Sequence, residues 1–188
     1  MNLMFVEPVS IAHLILLIFA IAFCFYIWKI LHLKMNYDVP KIFLIGFHGV
    51  GKKTIMRGLG DGKIKTYPLF KGLEISFFDG KKFPPPEARE RIKKISSEED
   101  LKILKDYAGN LIYVLDASKD SASIKEQIDL FNNLEKIYGD EIISVVNKID
   151  ISDEKNIKYI EKRVQKPIKI SANENIRALK DVLNKKST

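Results

Sequence analysis

The chain has 188 residues, 46% hydrophobic and 29% charged, with a formal net charge of +7 at pH 7. That length and balance fit one folded domain of ordinary size and exclude two large ones. Its single cysteine, Cys24, excludes an internal disulfide and permits a reducing compartment, and neither low-complexity tracts nor internal repeats are present.

The first 28 positions hold Glu7 as their only acidic residue and neither lysine nor arginine, so the positive charge belongs to the rest of the chain. After a short tail at 1–8, the run VSIAHLILLIFAIAFCFYIW from Val9 to Trp28 begins a segment, 9–32, that reads as a membrane anchor. About 20 residues rising ~1.5 Å each as a helix match a hydrocarbon layer of ~30 Å. Ser10 and His13 sit near one end, and Tyr26 and Trp28 fall where an aromatic belt meets the headgroups. Ala20-Ile21-Ala22 resembles a signal-peptide cleavage site, but the basic leader is missing and the apolar run continues past it. A buried core helix is the other alternative, and a helix apolar on all sides needs a larger protein around it. Cys24 reads as a small apolar residue and His32 as an interfacial one. Lys29 and Lys34 flank only the second end, which places the following domain in the cytoplasm by the positive-inside rule. LKMNYDVP, 33–40, is a linker closed by proline, and the folded domain occupies 41–188.

Within that domain the short apolar runs KIFLIG (41–46), LEISFF (73–78), LIYVLD (111–116), EIISVVN (141–147) and PIKI (167–170) predict buried strands. Amphipathic stretches at Pro86 to Tyr107, Ser121 to Tyr138, Asp153 to Arg163 and Glu174 to Asn184 predict helices between them. Ser96 and Ser97 ahead of Glu99 and Asp100 have the form of a capping box. Alternation of this kind implies an α/β fold with a mostly parallel sheet covered by helices on both faces, whose ligands lie at the carboxyl ends of the strands.

GFHGVGKKT, 46–54, follows the first strand and fits GxxxxGK in its strand-to-helix context. Gly46, Gly49 and Gly51 let successive amides turn inward around a phosphate, Lys52 reaches the distal phosphates, and the helix that starts there adds its positive end. His48 and Val50 lie inside the loop, and His48 reads as an exposed side chain tolerated there, with crowding of a terminal phosphate the alternative. The position after the lysine normally carries the hydroxyl that binds Mg²⁺. Here it is Lys53, with Thr54 one residue and ~100° further round the helix, so magnesium binding is in question while phosphate binding is not. Asn147-Lys148-Ile149-Asp150 and Ser171-Ala172-Asn173 stand after two later strands. A carboxylate at Asp150 accepts two hydrogen bonds from guanine N1 and N2, a pattern adenine does not offer. Lys148 can cover the base face, Asn147 can tie this loop to the phosphate loop, and the Ala172 amide can donate to O6. A plain solvated turn is the alternative reading of NKID.

GFHGVGKKT, NKID and SAN, together with LIYVLDAS, make residues 41 to 186 resemble the Ras-like small GTPases. A membrane helix ahead of such a domain is most similar in architecture to the beta subunit of the signal recognition particle receptor, a relative of the Arf and Sar group. The resemblance implies the P-loop small-GTPase fold with a six-stranded sheet and GTP or GDP as ligand. It implies Gly46, Gly49, Gly51, Lys52, Asn147, Lys148, Asp150 and Ala172 as binding residues, with His48, Val50, Lys53, Thr54, Ser171 and Asn173 beside them. It also implies a cytosolic partner resembling the receptor alpha subunit, and a membrane that is the endoplasmic reticulum in a eukaryote or the plasma membrane in a prokaryote.

The switch segments depart from that family. The interval from Lys52 to Asp79 must hold the first helix, the first switch and two strands, and GLGDGK ends the helix early. Thr66 is the candidate for the γ-phosphate-sensing threonine, or else an ordinary loop or strand residue. Asp79 and Gly80 begin the counterpart of DxxG, with Asp79 the candidate to hold a metal-bound water, but Lys82 replaces the second glycine. Phe83, at the place of the water-orienting residue, can neither orient water nor take its proton, and three prolines follow. Weak or absent hydrolysis is therefore expected. A regulatory GTPase and a non-hydrolysing scaffold remain the two readings. Basic residues interleaved with acidic ones argue against sequence-specific nucleic-acid binding and fit attraction to anionic lipid.

Overall fold

The computed structural model describes residues 19–27, 41–80, 83–172 and 175–186. The chain divides into two units, Met1–Asp38 and Val39–Thr188. In the first, residues 19–27 are helical, with Phe19, Ile21, Phe23 and Tyr26 exposed. No helix among the described residues is long and apolar enough to cross a membrane. The rest of the anchor segment 9–32, the tail and the linker lie outside the described residues, as do Lys81, Lys82 and Asn173.

In the second unit the first strand, β1 (Ile42–Phe47), leads through the glycine loop into α1 (Lys52–Leu59). A hairpin of β2 (Ile64–Pro68) and β3 (Leu73–Phe78) follows, then α2 (Pro86–Ile92), a 3₁₀ segment at Glu99–Asp106, and β4 (Asn110–Asp116). The chain continues through α3 (Ser121–Tyr138), β5 (Ile142–Asn147), a 3₁₀ turn at Ile149–Ile151, α4 (Glu154–Glu161), β6 (Ile168–Lys169) and α5 (Arg177–Lys186). The six strands form one sheet in the order β2-β3-β1-β4-β5-β6.

Successive residues of β1 point to opposite faces, and both faces are covered, which is why the strand reads as an unbroken apolar run. Ile42 and Leu44 join Ile55 and Met56 of α1 and Leu179 and Leu183 of α5 in one core. Phe43 and Ile45 join the other, with Phe131 and Leu134 of α3 and Leu101 and Leu104 of the 3₁₀ segment. The helix expected from Pro86 to Tyr107 is interrupted. Ser97 and Asp100 bond reciprocally, with the Ser97 amide donating to Asp100 Oδ2 at 2.9 Å and the Asp100 amide to Ser97 Oγ at 3.3 Å, so the capping box opens a separate segment.

The strands β1, β4, β5 and β6 pair in parallel, whereas β3 runs antiparallel to both β1 and β2. Chain length accounts for this. The eight residues of α1 carry the chain back about 12 Å from the carboxyl edge of the sheet. Only residues 60–63 precede β2, about 13 Å of chain when fully extended, which leaves nothing over for a switch loop. Strand β2 therefore rises from the amino edge, and the turn at 69–72 sends β3 downward, with Gly46 opposite Glu74.

Candidate functional site

The glycine loop leaves β1 at the carboxyl edge, packed so tightly that side chains are excluded at two positions. A Cβ on Gly46 would stand 2.7 Å from the Val114 carbonyl oxygen. Gly51 has φ +92°, and a Cβ there would stand 2.4 Å from Asn147 Nδ2. Between them Val50 is buried and His48 exposed.

Asn147 is the junction the sequence anticipates. Its Nδ2 donates to the Val50 carbonyl at 2.9 Å, and its Oδ1 accepts from the Ala172 amide at 3.0 Å. One side chain at the end of β5 thus joins the glycine loop to the loop after β6. The Ala172 amide, expected to face guanine O6, is directed to Asn147 here. Ser171 is buried beside it, with Oγ unpartnered among the described residues. Lys148 adopts a left-handed conformation, φ +63°, and its ammonium donates to the buried Asp116 Oδ2 at 2.6 Å. Asp116 Oδ1 accepts from Ser118 N and Oγ at 3.0 and 2.6 Å, so the aspartate ending LIYVLD anchors the Lys148 stem across the base loop. Asp150 is exposed in the 3₁₀ turn and makes no hydrogen bond to a described residue.

Beside the glycine loop a cavity of about 230 Å³ is lined by His48, Gly49, Gly51, Lys52, Lys53, Thr54, Thr66, Glu74 and Ser76. Lys52 is buried and donates to the carbonyls of Gly46 and Phe47 at 2.8 and 2.5 Å. Its third partner is Glu74 Oε2, 3.1 Å away, while Glu74 Oε1 meets His48 Nδ1 at 2.8 Å. Burial lowers the Lys52 pKa despite the opposing hydrogen bond and charge of Glu74. Partial burial acts to raise the Glu74 carboxyl, but the hydrogen bonds and charges of His48 and Lys52 outweigh it and hold the group below its usual range. Both partners move down because the lysine is the more deeply enclosed, 3% exposed against 21%. Glu74 carried no signal in the sequence beyond being the one acidic residue of an apolar strand.

The switch candidates are placed differently. Thr66 lies within β2, not in a loop, with Oγ1 2.9 Å from Ser76 Oγ, so it lines the cavity as a strand residue. Asp79 and Gly80 leave the antiparallel β3 at the amino edge, five residues and roughly 17 Å along the strand from Glu74. Asp79 Oδ2 is 2.8 Å from Lys65 Nζ, and Oδ1 is 2.9 Å from Arg89 Nη2 without hydrogen-bond alignment. Gly80 N donates to the Phe83 carbonyl at 2.8 Å, and Gly80 O accepts from Arg89 at 2.8 Å. Reversal of β3 takes Asp79, the expected metal residue, and Gly80, the other switch candidate there, away from the phosphate loop, which corrects both expectations. Phe83 is buried, its ring 5.1 Å from that of Phe43, and is a core residue.

The magnesium ligands of the family pattern are not brought together, and Thr54 lines the cavity one residue past the expected place. Lys53 occupies the hydroxyl position, Asp79 is across the sheet, Thr66 and Ser76 bond each other, and Glu74 is held by two bases. No group of three or more His, Cys, Asp or Glu suited to a metal occurs among the described residues.

A six-stranded α/β sheet with a glycine loop at its carboxyl edge, cross-tied by Asn147, has the form of a P-loop nucleotide-binding fold. Residues 101–150 match the model of the family described as NOG1, nucleolar GTP-binding protein 1. An uncharacterized protein of Methanocaldococcus jannaschii, MJ1408, is 29% identical over 129 residues, 64% of this chain and 37% of that protein. The crystal structure of an Era variant of Aquifex aeolicus bound to GDP and aluminium fluoride aligns with 22% identity and a TM-score of 0.43, covering 77% of this chain and 56% of that one. The chain thus spans little more than a third of the curated relative and about half of the structural one.

Proposed function

We propose that this chain is a membrane-anchored guanine-nucleotide-binding protein with little or no intrinsic hydrolysis, serving as a docking platform for a cytosolic protein. The observation that carries the reading is the Asn147 junction, which holds the loop bearing the exposed Asp150 against the phosphate loop. A carboxylate so placed favours guanine over adenine, because a base that left it unsatisfied would bind poorly. The matched family bears the description of a GTP-binding protein, which supports the same ligand. The site of Asp79 and the burial of Phe83 support weak hydrolysis, since neither of these switch positions lines the cavity.

The apolar segment 9–32 supports a single-pass anchor with the domain on the cytoplasmic side, in the endoplasmic reticulum or the plasma membrane according to the organism. The partner resembles the alpha subunit of the signal recognition particle receptor in this reading, and the activity served is protein targeting. Purifying the full chain in detergent and identifying the nucleotide released on denaturation tests it. A guanine nucleotide near one per chain, with any GTP persisting for hours, is expected. An empty site or an adenine nucleotide would overturn the reading.

A further inference from the structure

Among the described residues Glu74 is the one carboxylate that lines the cavity beside the glycine loop, and it comes from the strand on the far side of β1 from the loops after β5 and β6. The Lys52 ammonium has three protons and faces three oxygens, those of Gly46, Phe47 and Glu74. None is left for a phosphate while Glu74 stays in place. Helix α1 sharpens the competition. It opens with Lys52 and Lys53 and has no acidic residue in its first turn, so two cations sit at the positive end of the helix dipole and call for an anion. Glu74 supplies one from within the chain.

Direction decides which phosphate meets it. The sheet order runs β6-β5-β4-β1-β3, with Ala172 and Asp150 following β6 and β5. A nucleotide whose base lies at those loops extends its phosphates over β1 towards β3, and each added phosphate approaches Glu74. The geometry points to Glu74 as the residue that sets phosphate number, an internal anion competing for the terminal seat so that the site takes a nucleoside diphosphate in preference to a triphosphate. This inference rests on the nucleotide reading above. It differs from a metal-holding role because the carboxylate is flanked by Lys52 and His48 and no second acidic residue among those described lines the cavity.

The test is calorimetric titration of the full chain in detergent, wild type and Glu74→Gln, with GDP, a non-hydrolysable GTP analogue, pyrophosphate and tripolyphosphate. Wild type is expected to bind GDP more tightly than the analogue. Glu74→Gln is expected to raise affinity for the analogue and for tripolyphosphate about tenfold or more, and for the two diphosphates only a few-fold. Glu74→Ala, checked for folding by circular dichroism, should give the same order. An unchanged triphosphate-to-diphosphate ratio, or weaker triphosphate binding in both variants, would overturn the inference. A ratio that shifts for the inorganic ligands while neither nucleotide outcompetes them would uphold Glu74 and overturn the guanine reading. Absence of binding by all four ligands would overturn both.

Discussion

Asn147 and Val50 stand 97 positions apart in the chain and are joined by a 2.9 Å hydrogen bond from side-chain amide to main-chain carbonyl. The same amide's oxygen accepts from Ala172, so one buried side chain sets the spacing of three loops. Replacing Asn147 by leucine leaves two main-chain groups unsatisfied and should cost on the order of 2–4 kcal/mol. Chemical denaturation measures that loss. Guanine-nucleotide affinity should fall in parallel by about tenfold or more.

Asp150 makes no bond to a described residue that would give it a structural role. Asp150→Asn should therefore leave the unfolding midpoint nearly unchanged while abolishing guanine preference and gaining affinity for a xanthine nucleotide, whose ring offers the complementary pattern. Competition titration with guanine and xanthine nucleotides checks this, and unchanged selectivity would remove Asp150 from base recognition.

Asp79 belongs to the opposite edge of the sheet, between Lys65 and Arg89. Asp79→Asn should lower stability by about 1–3 kcal/mol without altering the effect of Mg²⁺ on nucleotide affinity. A change in the metal dependence would mean that β3 is oriented the other way.

Phe83 fills the core beside Phe43. Phe83→Ala should cost about 3–5 kcal/mol. Phe83→Gln should not create hydrolysis, because the introduced amide starts from the core and not from the cavity. Unfolding curves and a phosphate-release assay address the two halves.

The Glu74 pair also sets a pH dependence. The carboxyl is held below its ordinary value of 4.5, so its contribution to stability is fully present above that value and is lost as pH falls through the lower folded one. Glu74→Gln should remove this portion of the acid destabilisation. Lys52 is lowered from 10.5 chiefly by burial, so enclosing its charge costs stability, and that cost fades as pH rises towards 10.5, which gives stability the same upward slope with pH. Stability against pH in wild type and Glu74→Gln resolves both.

Elements that follow from local pattern were legible in the chain. Apolar runs marked β1, β3, β4 and β5, and the glycine spacing marked the loop that Gly46 and Gly51 make possible. Asn147 was readable because its partners lie in motifs of their own. The direction of β3 was not, since a strand's residues alternate identically whichever way it runs. It depends on the short connection at 60–63, a constraint of length more than of residue type. The place of strand β2, IKTYP, within the interval that had to hold two strands has no local mark, because it is half-exposed at an edge and shows no apolar run. Glu74 stayed hidden for a related reason, as its role exists only once Gly46 is known to face it across the sheet.

Competition binding to the full chain is the most direct measurement, using a fluorescent guanine nucleotide displaced by unlabelled GDP or ADP, in wild type, Lys52→Ala and Asp150→Asn. Saturable binding is expected, reversed by GDP and not by ADP, and weakened in both variants. Displacement by ADP as readily as by GDP, or binding indifferent to both substitutions, would contradict the assignment of one end of this site to phosphate and the other to guanine.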